Sequence, residues 1–216
     1  TFEPSQLAQF DDDGRAHLAA AKQLVVWPVE HDFYVSALRG EVVKLTFEQL
    51  KPYIEAVEVI AHAANALCMK LLGKGGVLPG HMYDTKHAAF LLDPLRKSRE
   101  LEDMTGIDVT DARQAVAAVW TLYDEQMAEF EKLPKLKHVA FEMDFPLIAV
   151  LARMEHRGII LDTAFLGQMN KELTQEIKET QNAMFSLVGN EFNIGSPVQL
   201  SEVLFTKLQL PTLGIK

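Results

Sequence analysis

At 216 residues and 48% hydrophobic content, the chain can bury one large core, or a medium core plus an extension. No apolar run approaches the roughly 18 residues that a membrane helix needs, and no signal-peptide pattern is legible. A net charge of −9 excludes a surface that grips phosphates throughout, and a single cysteine, Cys68, excludes an internal disulfide. A reducing, cytoplasmic setting is therefore expected. The acidic excess lies before Pro134. From there on eight Lys/Arg nearly balance nine Asp/Glu, leaving about −1 against about −8 in the earlier piece.

Residues 1–20 form an acidic lead-in, with Asp11-Asp12-Asp13-Gly14 read as a solvated turn because the spacing of a calcium loop is missing. Gln23 to Val29, Phe33 to Leu38 and Glu41 to Leu45 are β-rich, broken at Arg39-Gly40, and predict a three-strand meander. Thr46 is placed to cap a helix running to Glu55, with Pro52 interrupting it. Val57 to Ala61 reads as a buried strand and Ala63 to Leu72 as a helix. Gly73-Lys-Gly-Gly76 lacks the GxxxxGK(S/T) order of a phosphate-cradling loop and is a connection. A short extended piece near His81 to Asp84 precedes a helix over Thr85 to Leu92. His81, Asp84 and His87 stand three apart, as metal ligands can, but Asp84 at a helix entry reads better as a cap. His31-Asp32 lacks a nucleophile, Cys68 reads as a small core residue, and His62 and Asn65 as loop or cap residues. The longest periodic segment, about Thr110 to Leu133, carries Val116, Trp120, Tyr123, Met127 and Phe130 on one face. Strands followed by strand–helix alternation predict an α/β fold, a mixed sheet flanked by helices.

Pro134 is taken as a boundary. Beyond it Met143, Leu147, Val150, Leu151 and Met154 form a helical stripe, with Pro146 starting or kinking that helix and Arg157-Gly158 ending it. Asp162 is placed to cap a helix with the stripe Phe165, Met169, Leu173, Ile177, Met184 and Leu187, ended by Gly189. In the stretch Glu191 to Pro211, Ser196 is a good N-cap, Pro197 suits the first helical position, and Gln199 stands where a capping box needs it. Leu200, Val203, Leu204 and Leu208 follow at helical spacing.

The run EFNIGSPVQLSEVLFTKLQLP over 191–211 resembles the start of the thumb in family A DNA polymerases of the bacterial DNA polymerase I type. FPLIAVLARMEHRGIILD over 145–162 resembles the segment leading into that thumb, and YDTKHAAFLLDP over 83–94 resembles the family's 3′–5′ exonuclease-type domain. The resemblance implies a fragment. Residues 1–133 would be a ribonuclease-H-like exonuclease-type domain, and 134–216 the base of the thumb at the start of the polymerase domain. It implies primer–template DNA and deoxynucleoside triphosphates as partners of the full enzyme, Mg2+ in a palm outside this chain, no cofactor within it, and a monomer at the nucleoid. Asn193, Ser196 and Gln199 match the thumb loop that meets DNA in that family, at a helix start whose amides suit phosphate; Gly195 departs from the common Asn or Ser.

Exonucleases of that fold hold two divalent metals with four carboxylates, because two-metal phosphodiester hydrolysis needs hard oxygen ligands on both ions. Here Trp27, Pro28 and Val29 fall where the first two acids would be, leaving Glu30 as a lone carboxylate nearby. Leu67 falls at the third position, and Ala115, or by a small register shift Asp111, at the fourth. The expectation is a catalytically inactive exonuclease domain that serves as a scaffold. The alternatives are a standalone 3′–5′ exonuclease, which would need those acids, and a non-enzymatic interaction module.

Overall fold

The computed structural model describes residues 6–8 and 12–211. The chain divides into two compact units, Thr1–Gly158 and Ile159–Lys216.

The first unit is built on a six-stranded mixed sheet in the order β1-β4-β3-β2-β5-β6. Its strands are β1 (Gln6–Ala8), β2 (Gln23–Val29), β3 (Asp32–Ser36), β4 (Glu41–Leu45), β5 (Glu58–Ala61) and β6 (His81–Asp84). β2, β3 and β4 pair antiparallel as the expected meander, whereas β5 joins β2 in parallel and β6 joins β5 in parallel. Glu30-His31 makes the tight turn between β2 and β3, Glu30 itself taking a φ of 44°. The central strands read as near-continuous apolar runs because both faces are covered. Leu24, Val25, Val26, Val59 and Ile60 are all buried. The sheet is the mixed α/β arrangement anticipated.

Helices α1 (Asp12–Ala20), α2 (Phe47–Ile54), α3 (Ala64–Gly73), α4 (Thr85–Leu92), α5 (Leu101–Thr105) and α6 (Ala112–Lys132) surround the sheet. Phe33 faces Phe47 of α2 and Lys70 of α3, whereas Ser36, three residues on, accepts a hydrogen bond from the indole of Trp120 in α6. Alternation along β3 therefore sets α2 and α3 on one face and α6 on the other. Tyr123 of α6 accepts a 2.6 Å hydrogen bond from Gln23, whose amide also reaches Glu58.

Several expectations need correction. Asp11 lies outside the described residues, but Asp12 onward is helix α1, not a turn; Leu18 gives it an anchor in the core. Thr46 caps α2 with a reciprocal Gln49 box, and Pro52 stands inside α2 without interrupting it. It falls in the last turn, where one forfeited amide bond is tolerated. Helix α5 was not anticipated, since five residues are too few to show a periodicity. The periodic segment 110–133 forms α6 as expected.

Pro134 is not where the compact units part. It starts α7 (Pro134–Val139), which runs through a π turn at Ala140–Asp144 into α8 (Phe145–Arg157), with Pro146 in the first turn of α8. Phe141 and Phe145 pack on buried Tyr83 with ring centroids 5.8 and 4.7 Å apart, and α8 also lies against α3. These contacts hold residues 134–158 in the first unit until Gly158, at φ 67°, stops the helix.

The second unit contains α9 (Thr163–Val188), capped by Asp162 and stopped by Gly189, then α10 (Pro197–Ser201) and a π turn at Glu202–Lys207. Phe192 packs edge-on against Phe185, 5.8 Å between centroids. The stripe Phe165, Met169, Leu173 and Ile177 on α9 is exposed.

One carboxylate joins two helices of the first unit. Asp84, 7% exposed, accepts hydrogen bonds from Ala63 and Ala64 at the start of α3, at 3.0 and 2.9 Å. It also accepts from Lys86 and His87 at the start of α4, at 2.9 and 3.4 Å. Replacing Asp84 with Ala orphans both helix starts in a buried site, and a loss of about 2–4 kcal/mol is expected, the sum of two caps. Urea unfolding checks this, with Asp84→Asn, which keeps one oxygen, falling between the two.

Candidate functional site

Two regions carry the candidate residues. The first is the loop into α10. Ser196 is its N-cap, and its Oγ accepts from the Gln199 amide at 3.5 Å. Gln199 does not close a reciprocal box on Ser196; its Oε1 accepts from the Asn193 amide at 2.8 Å instead. Asn193 Oδ1 accepts from Gly195 N at 3.0 Å, and Ser196 N donates to the Asn193 carbonyl, also at 3.0 Å. A Cβ at Gly195 would stand 3.3 Å from Asn193 Oδ1, so the small residue gives the ring of hydrogen bonds room.

The three expected residues are thus brought together, and the loop uses their acceptors while sparing their donors. Among the described residues, the Asn193 side-chain NH2, the Ser196 hydroxyl proton and the Gln199 side-chain NH2 have no recorded partner. Asn193 and Gln199 are exposed and Ser196 half-buried. Such donors suit phosphate oxygens and the acceptor edges of bases. Beside the loop is a recess of about 640 Å3 that Asn190, Gln199, Glu202 and Lys207 help to line. Lys207 donates to Asn190, a pairing with no sequence signature because the residues lie 17 apart.

The second region is the end of the sheet where β2, β5 and β6 finish, the edge at which open α/β sheets place ligands. Trp27, Pro28 and Val29 end β2, and Glu30 is exposed at the hairpin tip. Leu67 and Cys68 are buried in α3, where burial pushes the Cys68 thiol up to about 11. Ala115 is buried. Asp111 caps α6 and pairs with Arg113, whose guanidinium holds its carboxyl below the ordinary value. Among the described residues these positions do not gather the four oxygen ligands that two divalent ions require, and the side chains there do not fit such a pair. Among the described residues no group of three or more His, Cys, Asp or Glu is placed to hold a metal ion.

His81, Asp84 and His87 do not converge either. His81 is exposed at the opposite end of β6, Asp84 is spent on helix caps as its position suggested, and His87 Nε2 meets Asp144 at 3.0 Å. His62 Nδ1 meets the Thr85 hydroxyl at 2.9 Å, while its Nε2 is buried and has no partner among the described residues. What the sequence concealed is Ala63, at φ 61° and ψ 59°. That left-handed conformation costs an L-residue about 1–2 kcal/mol, and the Asp84 bonds hold it in place.

Residues 163–216 match the family model described as DNA polymerase family A. DNA polymerase I of Geobacillus stearothermophilus is 32% identical over 166 residues, 65% of this chain and 19% of that protein. The thermostable DNA polymerase I of Thermus aquaticus is 32% identical over 183 residues, 83% of this chain and 22% of that one. The chain therefore spans about a fifth of the length of the curated relatives it matches. Among solved structures, the POL domain of Pol1 from M. smegmatis, in complex with a DNA primer-template and dNTP, aligns with a TM-score of 0.77 and 25% identity. That alignment covers 92% of this chain and 39% of the other.

Two consequences of this geometry are measurable. In the native chain the Cys68 thiol should resist thiol reagents at pH 8 and react only after unfolding. Burial also holds His62 below its ordinary value of 6.5. The unfolded chain then takes up the proton first, so stability falls as pH drops through 6.5 toward the folded value. In urea melts between pH 7.5 and 5, His62→Gln is expected to lose that part of the acid sensitivity.

Proposed function

Because the chain belongs to DNA polymerase family A, we propose that it is part of a DNA-directed DNA polymerase acting in replication or repair. In this reading residues 1–133 are a ribonuclease-H-like, 3′–5′ exonuclease-type domain without its metal-holding carboxylates. It serves as a scaffold. Residues 134–216 begin the polymerase domain, and the loop of Asn193, Ser196 and Gln199 helps to hold primer–template DNA. The deoxynucleoside triphosphates and the Mg2+ that supports their transfer belong to parts of the enzyme outside this chain. The working molecule is monomeric, cytoplasmic and associated with the nucleoid.

One observation carries the reading: the span matched by the family model contains the loop whose three side-chain donors are spared for an external acceptor. Charge supports it. The acidic excess lies before Pro134 and leaves the second piece nearly neutral, so DNA is repelled least where these donors stand. The meander extended in parallel by β5 and β6 supports the exonuclease-type scaffold, and the dispersed carboxylates support its inactivity.

In the polymerase that contains this segment, Asn193→Ala with Ser196→Ala is expected to weaken primer–template affinity by about 1–3 kcal/mol, the range for a few lost hydrogen bonds to charged groups. Fluorescence anisotropy measures it. Unchanged affinity with a lowered Tm would assign both residues to capping alone. The 216-residue chain, incubated with Mn2+ and single-stranded DNA, is expected to release no nucleotides. Robust cleavage abolished by a chelator would instead favour the standalone exonuclease.

A further inference from the structure

We infer that the groove between α4, α5 and α6 is a docking site for a basic, amphipathic helix of another protein. It encloses about 470 Å3. Ala89 and Leu92 of α4, Met104 of α5 and Leu122 of α6 supply its apolar lining. Leu122, Glu125, Gln126 and Glu129 recur along α6 at intervals of three and four, so one helix face presents both the apolar lining and an acidic lip.

The floor is rigid. Gln126, 3% exposed, donates to the Thr85 carbonyl at 2.8 Å and accepts from the Tyr83 hydroxyl at 3.2 Å, so its polar groups are satisfied within the fold. The lip is left over. Among the described residues Glu125 has no cationic partner, and Asp93 only accepts from the Leu95 amide. Glu129 pairs with Lys132 in an exposed contact three residues apart, a pairing weak enough to exchange for an incoming cation. Arg96 is the one base among the lining residues, and the three acids outnumber it.

That charge decides the occupant. Three carboxylates around an apolar trough repel nucleic acid and anionic ligands. They favour a segment that inserts apolar residues at i, i+3, i+4 and i+7 and flanks them with Lys or Arg, the helix-in-groove mode of recognition. A flat basic tail would leave the trough empty, and an acidic helix would meet the lip with like charge.

The test uses the full 216-residue chain and three fluorescent peptides: an amphipathic Lys/Leu helix, a scrambled peptide of the same composition, and an amphipathic Glu/Leu helix. The first is expected to bind at least ten-fold more tightly than the other two. Glu125→Lys with Glu129→Lys should weaken it at least ten-fold without changing the circular dichroism spectrum. Glu48→Lys with Glu102→Lys, an equal charge change at exposed positions outside the groove, should weaken it less than two-fold. Equal binding of the scrambled peptide, equal losses in the two double variants, or no binding of the Lys/Leu helix overturns the inference. So does a concentration-dependent self-association in ultracentrifugation that Glu125→Lys with Glu129→Lys abolishes, which would assign the groove to a second copy.

Discussion

A buried carboxylate at a strand end is costly unless its charge is met, and Asp84 is met entirely by backbone amides. Those amides are the open donors at the starts of α3 and α4, which the helices themselves leave unsatisfied. One side chain therefore fixes where both helices begin, how β5 turns into α3, and why Ala63 tolerates a left-handed backbone. The angle at which α3 leaves the sheet then sets the surface on which α8 packs. The end of the sheet where a ligand would sit is organised for support, with its buried acid already committed.

The same economy runs through the first unit. Polar groups in its interior face one another instead of solvent: Trp120 with Ser36, Gln126 with Tyr83 and the Thr85 carbonyl. Each bond ties α6 to the sheet or to α4 across more than forty residues, and a satisfied network of this kind fixes one arrangement of the core. Aromatic packing extends it outward. Tyr83 meets Tyr123 edge-on at 4.8 Å and also contacts Phe141 and Phe145. Residues 134–158 are thereby drawn into the first unit.

The loop at Asn193 to Gln199 shows the opposite disposition. Its acceptors are consumed locally and its donors are spared, whereas at the end of the sheet the buried Asp84 is spent on internal amides. The acidic excess before Pro134 and the near balance after it are consistent with the scaffold and DNA-holding roles proposed for the two pieces. The acidic groove beside α6 lies in the same acidic piece before Pro134.

Much of this was open to reading from the residues alone. Turn chemistry and strand composition located the meander, the β5 and β6 strands and α4. Side-chain oxygens ahead of apolar periodicity located the caps Thr46, Asp84, Asp162 and Ser196. These are local signals, a few residues long, and they act before the chain has folded. Only the tertiary structure decided the rest, because it rests on residues far apart in sequence. It gave the Asp84 oxygens a second helix twenty residues upstream, sent Gln199 to Asn193 instead of Ser196, and carried α8 past Pro134 onto Tyr83. It also turned spaced acids and apolar residues on three helices into one groove. Periodicity names the face a helix will bury; what that face meets is chosen by packing.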